Sequence, residues 1–320
     1  MNEQAVSGNS VVTVPDEKDI NESAPRPVKR ICAIHDLSCF GRCALTVVIP
    51  ALSALGYQVV PLPTALLSTH TGGFDGLHFL DLTDSISPIT EHFDKIGLEF
   101  DAIYTGFLGS EGQIALVERF IERFGKDKTV MVDPVMGDDG MLYSTYNNAL
   151  MRGMSRLCRH ADVITPNLTE ACFLTGTPFK NTADMTKKAR FEYLEGLCKA
   201  LSLDGKKKIV ITGISDGTDT LASYAVDPVR NARFYHTVNR VAKNYPGTGD
   251  LFASVLLGEL MRTKNFFSAI EFASDFTSRV MAFTADFDTP TRDGVALEAF
   301  LCELTERAKL REKEKNNGRK

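Results

Sequence analysis

Short apolar runs, each followed by a stretch with helical spacing, constrain this chain more than any other feature. Six runs read as strands: Ile31–Ile34, Gln58–Leu62, Ala102–Tyr104, Thr129–Val132, Val163–Thr165 and Ile209–Thr212. Between them apolar residues recur at helical intervals. Leu45, Val48, Leu52 and Leu55 are spaced three, four and three apart, and so are Ile114, Val117, Ile121 and Phe124. That spacing gathers apolar side chains on one helical face. Pro50 stands inside the first of these helices and predicts a kink there. Strands that alternate with helices fold as βαβ units. The expected architecture is therefore three layers, α/β/α, with a central, mostly parallel sheet and helices on both faces. Further on the rhythm changes. Leu221–Val226 and Arg233–Val238 flank a turn containing Asp227, Pro228 and Asn231, which reads as a hairpin at the sheet edge. Beyond Asp250 the pattern is helical, with helices expected near 250–262, 267–284 and 296–309.

The ends differ from the middle. Residues 1–29 lack periodicity and carry Asn, Ser, Pro and charges, so they read as an unstructured tail. Residues 309–320 are charge-dense and are expected to fray into solvent. No linker or repeat interrupts 30–308, and a chain of 320 residues accommodates one large α/β domain over that range. The formal net charge of −5 argues against a nucleic-acid surface, which shows a basic excess. No apolar run approaches the roughly 18 residues of a membrane span, and no secretory signal opens the chain. The seven cysteines are scattered and form no CxxC pair, so structural zinc is not expected and a reducing, cytoplasmic compartment is. Cys32, Cys43 and Cys172 sit among apolar residues and read as core.

In open parallel sheets ligands bind beyond the carboxyl ends of the strands. Thr129–Val132 runs into Asp133, Pro134, Val135, Met136, Gly137 and Asp138, followed by Asp139. Carboxylates at a strand end suit magnesium and phosphate, because magnesium takes one or two carboxylates together with phosphate oxygens and water. The same residues also suit a plain turn. Val163–Thr165 runs into Asn167 and Glu170, three apart, which is the spacing of a helix capping box. Glu170 can cap and still face the crevice that Asp133 faces. Thr212 and Gly213 end the next strand, where glycine lets a ligand approach the backbone. Gly247, Thr248, Gly249 and Asp250 then open an apolar helix. Free N–H groups and the positive helix end make a cradle for phosphoryl charge. Asp250 stands beside that cradle as a proton acceptor. An N-cap with glycine turns is the competing reading. Neither GxxxxGK[ST] nor a strand-borne GxGxxG is present, so a P-loop enzyme and a nicotinamide dehydrogenase are disfavoured. The glycine-rich run Gly106–Gly112 fits neither spacing and reads as a strand-to-helix turn.

Taken in order, five segments resemble the ribokinase-like superfamily and, within it, the vitamin B6 kinases. They are His35–Arg42, Ser68–Gly73, Asp133–Asp138, Thr165–Glu170 and Gly247–Asp250, and the resemblance spans roughly residues 30 to 285. It implies transfer of the γ-phosphoryl of ATP to the 5′-hydroxymethyl group of pyridoxal, pyridoxamine or pyridoxine. Asp250 would be the catalytic base, and Gly247, Thr248 and Gly249 the anion hole. Asp133, Asp138 and Glu170 would organise magnesium and the ATP phosphates, with Asp133 and Glu170 nearest the metal and Asn167 beside them. Thr212 and Gly213 would line the nucleotide side. His70 and Thr71 match a segment that lies over the pyridine ring, with Thr69 in place of the family's Asn. His35, Asp36 and Ser38 compete for the ring contact made from the first strand. The resemblance also implies use of a potassium ion and a homodimer.

Asp36 with Ser38 is closer to the hydroxymethylpyrimidine kinase branch, which often carries Cys where this chain has Asp250. A hydroxymethylpyrimidine kinase of thiamine synthesis is thus the second reading. Two others come from different classes. One is a catalytically silent small-molecule-binding relative, against which the retained acids Asp133, Glu170 and Asp250 speak. The other is an interaction protein acting through its N-terminal extension.

Overall fold

The structure, a computed structural model, describes residues 3–5, 11–13, 26–143, 146–202 and 205–317. Strands β1 (Glu3–Ala5) and β2 (Val11–Thr13) form a separate antiparallel ladder. The remainder of 1–25 lies outside the described residues, as does most of the tail expected there. Arg26 is docked, donating to the Glu99 carbonyl and pairing with Asp101.

The main sheet begins with β3 (Arg30–Phe40), followed by α1 (Leu45–Ala54), β4 (Gln58–Thr69), β5 (Phe79–Asp81) and α2 (Thr83–Lys95). Next come β6 (Ala102–Thr105), α3 (Glu111–Phe124) and β7 (Thr129–Val132), then a small hairpin of β8 (Gly137–Asp138) and β9 (Met141–Leu142). Helix α4 (Asn148–Leu157) leads to β10 (Val163–Ile164), α5 (Leu168–Thr175), α6 (Lys187–Leu201) and β11 (Lys208–Ser215). The edge hairpin is β12 (Thr220–Asp227) with β13 (Ala232–Asn239). Helices α7 (Thr248–Thr263), α8 (Phe266–Ala285) and α9 (Leu301–Asn317) follow it. A short 3₁₀ turn, Leu297–Phe300, precedes α9, so the helix expected from 296 begins later and runs further. It continues through the charged stretch from Lys309 to Asn317, and residues 318–320 lie outside the description.

Nine strands lie in the order β13-β12-β11-β10-β7-β6-β3-β4-β5. From β11 to β4 the pairs are parallel, and both edges are antiparallel. The chain goes from β3 outward to β4 and then returns across β3 to β6. The strand order therefore reverses between β3 and β6, and in open parallel sheets the ligand crevice lies outside the carboxyl ends at such a reversal.

Both faces of the sheet are covered. Ile31, Ala33, Ala102, Tyr104, Met131 and Val163 point into one core with α1, α7, α8 and α9. Their neighbours Cys32, Ile34, Ile103, Val130, Val132 and Ile164 point into the other with α2 to α6. Burial on both faces explains why these strands read as continuous apolar runs. Cys32, Cys43 and Cys172 are buried as expected, and all seven cysteines are unpaired. No helix among the described residues is long and apolar enough to cross a membrane.

Two strands outrun their apolar runs. β3 continues past Ile34 through an irregularity between His35 and Leu37, so the expected loop is strand as far as Phe40. β4 tolerates Pro61 and Pro63 because its outer side is paired by β5 only at Ala65–Leu67. A proline nitrogen there removes no ladder bond. Pro50 sits inside α1, which is continuous from Leu45 to Ala54.

Candidate active site

Helix α7 starts where the chain turns through Gly247, whose φ of 78° places it in the left-handed region. A Cβ at that position would come within 2.0 Å of the Arg42 carbonyl oxygen, so only glycine fits. Gly294, also at φ 78°, closes on the same Arg42 turn from the other side. The first-turn N–H groups of Thr248 and Gly249 have no acceptor within the helix. Gly249 is exposed and faces open space, while the Thr248 hydroxyl donates back to the Tyr245 carbonyl.

Asp250, in that first turn, is buried and held from two sides. His35 Nε2 lies 3.0 Å from its Oδ1, and the Ala44 N–H donates to its Oδ2 at 2.6 Å. Ala44 is the N-cap of α1 and adopts φ 50°, an uncommon conformation for a residue with a Cβ. Burial opposes charge on Asp250, yet His35 and the Ala44 N–H hold its carboxyl below the usual range. Burial equally opposes charge on His35, but Asp250 and Asp36 outweigh it and raise the imidazole to about 10. Asp36 sits at the irregularity in β3, with Oδ1 2.8 Å from His35 Nδ1 and Oδ2 accepting from the Ser38 hydroxyl at 3.0 Å. His35, Asp36 and Ser38, which competed for one ring contact, are thus joined in one buried cluster with Asp250.

A second cluster lies at the ends of β7 and β10. Asp133 accepts from the Thr165 hydroxyl at 2.9 Å. Asn167 and Glu170 form the capping box of α5. The Asn167 side chain accepts from the Glu170 N–H, and Glu170 Oε2 accepts from the Asn167 N–H. Glu170 Oε1 accepts in addition from the Met136 N–H at 3.0 Å, reaching across to the segment that follows β7. Asn167 Nδ2 donates to the Gly137 carbonyl, and the Thr212 N–H donates to the Pro166 carbonyl. Thr212 and Asn167 thereby prolong the parallel ladder by one bridge. Burial and the charge of Asp250 raise Asp133 to about 7. Burial and Asp133 push Glu170 well above the usual carboxylate range, against the pull of its two N–H donors. Tyr104, buried on β6, has its hydroxyl pushed up by burial and then by Asp133, Asp250 and Glu170, which places all three acids within electrostatic reach of one atom.

Gly213, at φ 70°, is exposed at the irregularity in β11 between Ile211 and Ile214. Asp138 is exposed and accepts from the Asp139 N–H. His70 stands apart from both clusters. Its Nδ1 accepts from the Gly72 N–H at 3.1 Å, which leaves Nε2–H to donate to the Arg292 carbonyl at 2.6 Å. Both ring nitrogens are therefore spent on the protein. The Arg292 guanidinium covers Phe74, which packs edge-on against His70. Thr71 beside it is exposed. Ala44, Tyr104 and Arg292 were not marked by any sequence motif, and Thr165 was marked only as the start of the Thr165–Glu170 segment. The positive φ of Ala44 has no sequence signature, and the others depend on partners far along the chain.

The donor set fits magnesium carried with a nucleotide. Asp133 and Glu170 are two carboxylates raised first by burial and then by a neighbouring acid, a state that a divalent cation relieves. Among the described residues no group of three or more metal-ligating side chains converges.

The chain also matches known proteins over most of its length. Residues 45–292 match the family model of phosphomethylpyrimidine kinases. A Bacteroides thetaiotaomicron protein described as a phosphomethylpyrimidine kinase is 41% identical and covers 88% of this chain and 96% of its own, with a TM-score of 0.82. A second crystal form of that protein contains pyridoxal. Pyridoxal kinase from Lactobacillus plantarum is 32% identical over 86% of this chain and 96% of its own, with a TM-score of 0.78. Pyridoxal kinase from Histophilus somni is 28% identical over 73% of this chain and 81% of its own. The chain belongs to the phosphomethylpyrimidine kinase family and has the ribokinase-like fold.

Proposed function

We propose that the chain transfers the γ-phosphoryl of ATP to the 5′-hydroxymethyl group of pyridoxal, pyridoxamine or pyridoxine. The observation that carries this reading is Asp250, a buried carboxylate held ionised in the first turn of α7 and within electrostatic reach of Asp133. An alcohol is a poor nucleophile at neutral pH. In the transfer its oxygen bonds to the γ-phosphorus, the bond from that phosphorus to the β–γ bridging oxygen breaks, and ADP leaves with the electron pair. The alcohol proton passes to Asp250. Thr248 and Gly249 direct N–H groups toward the charge that develops on the moving phosphoryl group. Magnesium, when bound, neutralises phosphate charge. Asp133 and Glu170 would hold it, directly or through its water shell, with Asp138 and Asn167 close by and Thr212 and Gly213 along the nucleotide side.

The relatives support the vitamin B6 vitamers as acceptor, since one contains pyridoxal and others are named pyridoxal kinases. Hydroxymethylpyrimidine or its phosphate is the second acceptor, favoured by the family model and by Asp36 with Ser38 on β3. His70 and Thr71 would border the acceptor, His70 through its ring because its nitrogens are engaged. The unpaired cysteines support a reducing, cytoplasmic setting. Exposed Phe40, Phe79 and Leu80 on β3 and β5 would give a homodimer apolar surface to bury. Residues 30–308 form the kinase domain in this reading, and 1–29 are accessory to it.

Purified protein with ATP, magnesium and each of the four alcohols, read as relative kcat/KM, tests the proposal. A preference for the B6 vitamers is expected. Turnover of hydroxymethylpyrimidine alone would replace the acceptor, and turnover of none would remove the kinase reading. The same assay in potassium against sodium tests the potassium requirement that the resemblance implies.

A further inference from the structure

The imidazole of His35 is 3% exposed and lies between two carboxylates, Asp36 on one ring nitrogen and Asp250 on the other. Its place is built for it. Tyr104 meets the ring edge-on at 6.4 Å between centroids. Gly106 lies against the other side, where a Cβ would come within 2.0 Å of His35 Cδ2, so any larger residue would displace the ring. Ser38 fixes Asp36 in turn. A row of hydrogen bonds thus runs Ser38, Asp36, His35, Asp250, from β3 to the first turn of α7.

A neutral imidazole donates from one nitrogen only, whereas two carboxylates call for two donors. The N–H groups of Asp36, at 2.9 Å from Nδ1, and Phe107, at 3.4 Å from Nε2, compete for the same ring atoms. Charge-assisted contacts to two carboxylates outweigh two neutral ones.

We propose that His35 is a positioning residue of the phosphoryl transfer, aiming the Asp250 carboxylate and keeping it ionised among the acids of the crevice. This rests on Asp250 being the base, as argued above. The groups within electrostatic reach of the His35–Asp250 pair are Asp36 on the same strand, Tyr104 on β6, Asp133 after β7, Tyr143 after β9, and Cys43 before α1. All of these are acids or weak acids. Without a cation, Asp250 would be buried beside Asp133 and would keep its own proton. A protonated carboxyl cannot accept one from an alcohol. His35 keeps both of its protons throughout, and the alcohol proton ends on Asp250. Because both ring nitrogens face carboxylates, His35 has no donor left for the acceptor ring.

The test measures kcat and KM against pH from 5 to 9 for the full chain and for His35→Gln, with ATP, magnesium and pyridoxal. Glutamine keeps one donor but no charge. The expected result is a fall in kcat of about 10–10²-fold, an ATP KM within about twofold, and an acidic limb displaced upward by about one pH unit or more. A near-normal kcat, or a reduced kcat on an undisplaced limb, overturns the proposal. Asp36→Asn, which weakens the cation without removing the ring, is expected to move the limb the same way by less. That variant decides the matter where His35→Gln does not fold. The side-chain ¹⁵N resonances of the wild-type histidines supply a reading independent of turnover. A His35 imidazolium persisting at pH 8 is expected, and a neutral ring at that pH overturns the proposal. If none of the four alcohols is phosphorylated, the kinase reading falls and the positioning role falls with it, whereas turnover beside a neutral His35 ring overturns this proposal alone.

Discussion

The crevice holds two buried acidic clusters that are satisfied in opposite ways. Around Asp250, a histidine supplies positive charge from within the chain, and the carboxyl is held down. Around Asp133 and Glu170, the partners are a threonine hydroxyl and backbone N–H groups, and both carboxyls are pushed up. Neutral donors do not offset the loss of water around a charge as fully as an ion pair does. The first cluster is electrostatically complete in the protein alone. The second becomes complete when a cation joins it. A group that must take a proton in every cycle is made ready in advance, while a group that must hold a departing metal–nucleotide complex is left in need of one.

Neutralising each cluster in turn should therefore give opposite results. Asp250→Asn carries the largest expected effect, a fall in kcat of about 10²–10⁴-fold with substrate binding retained. Titration calorimetry with ATP and pyridoxal separates that outcome from misfolding, and a near-normal kcat would remove Asp250 from the base role.

A buried acid outside both clusters calibrates the comparison. Glu259 on α7 is fully buried and bonded to Arg262 and to Arg307 of α9, away from both clusters. Glu259→Ala leaves those guanidiniums without their acid and should destabilise the fold by about 3–5 kcal/mol, measured by urea unfolding. The kcat of the folded fraction should be unchanged, and a lost kcat in folded protein would mean that α7 transmits strain to its first turn.

The smallest effect has the more informative sign. The Asp133 carboxyl rises from 3.8 to about 7 in the fold. A raised carboxylate contributes stability below its unfolded value and loses it as pH climbs through the folded one. Nucleotide-free protein should lose stability through this group between about pH 4 and 7. Asp133→Asn removes that loss, so its Tm at pH 8 should exceed that of wild type by about 2 °C or more. The difference should vanish near pH 4, and Mg-ATP, held by the Asp133 carboxylate, should reverse the order at pH 8. A lower Tm for Asp133→Asn at pH 8 would mean that the second cluster is already neutralised within the chain.

The sequence discloses these clusters unevenly. Gly247–Asp250 and the Asn167–Glu170 spacing are local, so their helix starts are legible, and the capping box forms while Glu170 also reaches the segment after β7. The parallel sheet is legible because strands buried on both faces are uniformly apolar. Helices α4 and α6 also carry signals, Asn147 and Thr186 as caps ahead of Leu150, Met154 and Leu157 or Leu194 and Leu201. The His35–Asp250 bond is not legible, because it joins residues 215 apart through a strand order that no local pattern encodes. The extension of β3 is hidden by the irregularity at Asp36, and that of β4 by Pro61 and Pro63, which ordinarily speak against a strand.

The Arg42 turn, wedged between Gly247 and Gly294, has a consequence for the order in which the protein is made. One of its glycine partners follows it by more than 200 residues and the other by about 250. At about 5–20 residues per second, a ribosome needs roughly 10–50 seconds to synthesise the chain between Arg42 and Gly294. Through that interval β3 can pair with its neighbouring strands, but the turn that carries Ala44 toward Asp250 has nothing to close against. The catalytic corner is then among the last parts of the molecule to form, and a nascent or truncated chain that has already built most of its sheet carries no partly active site.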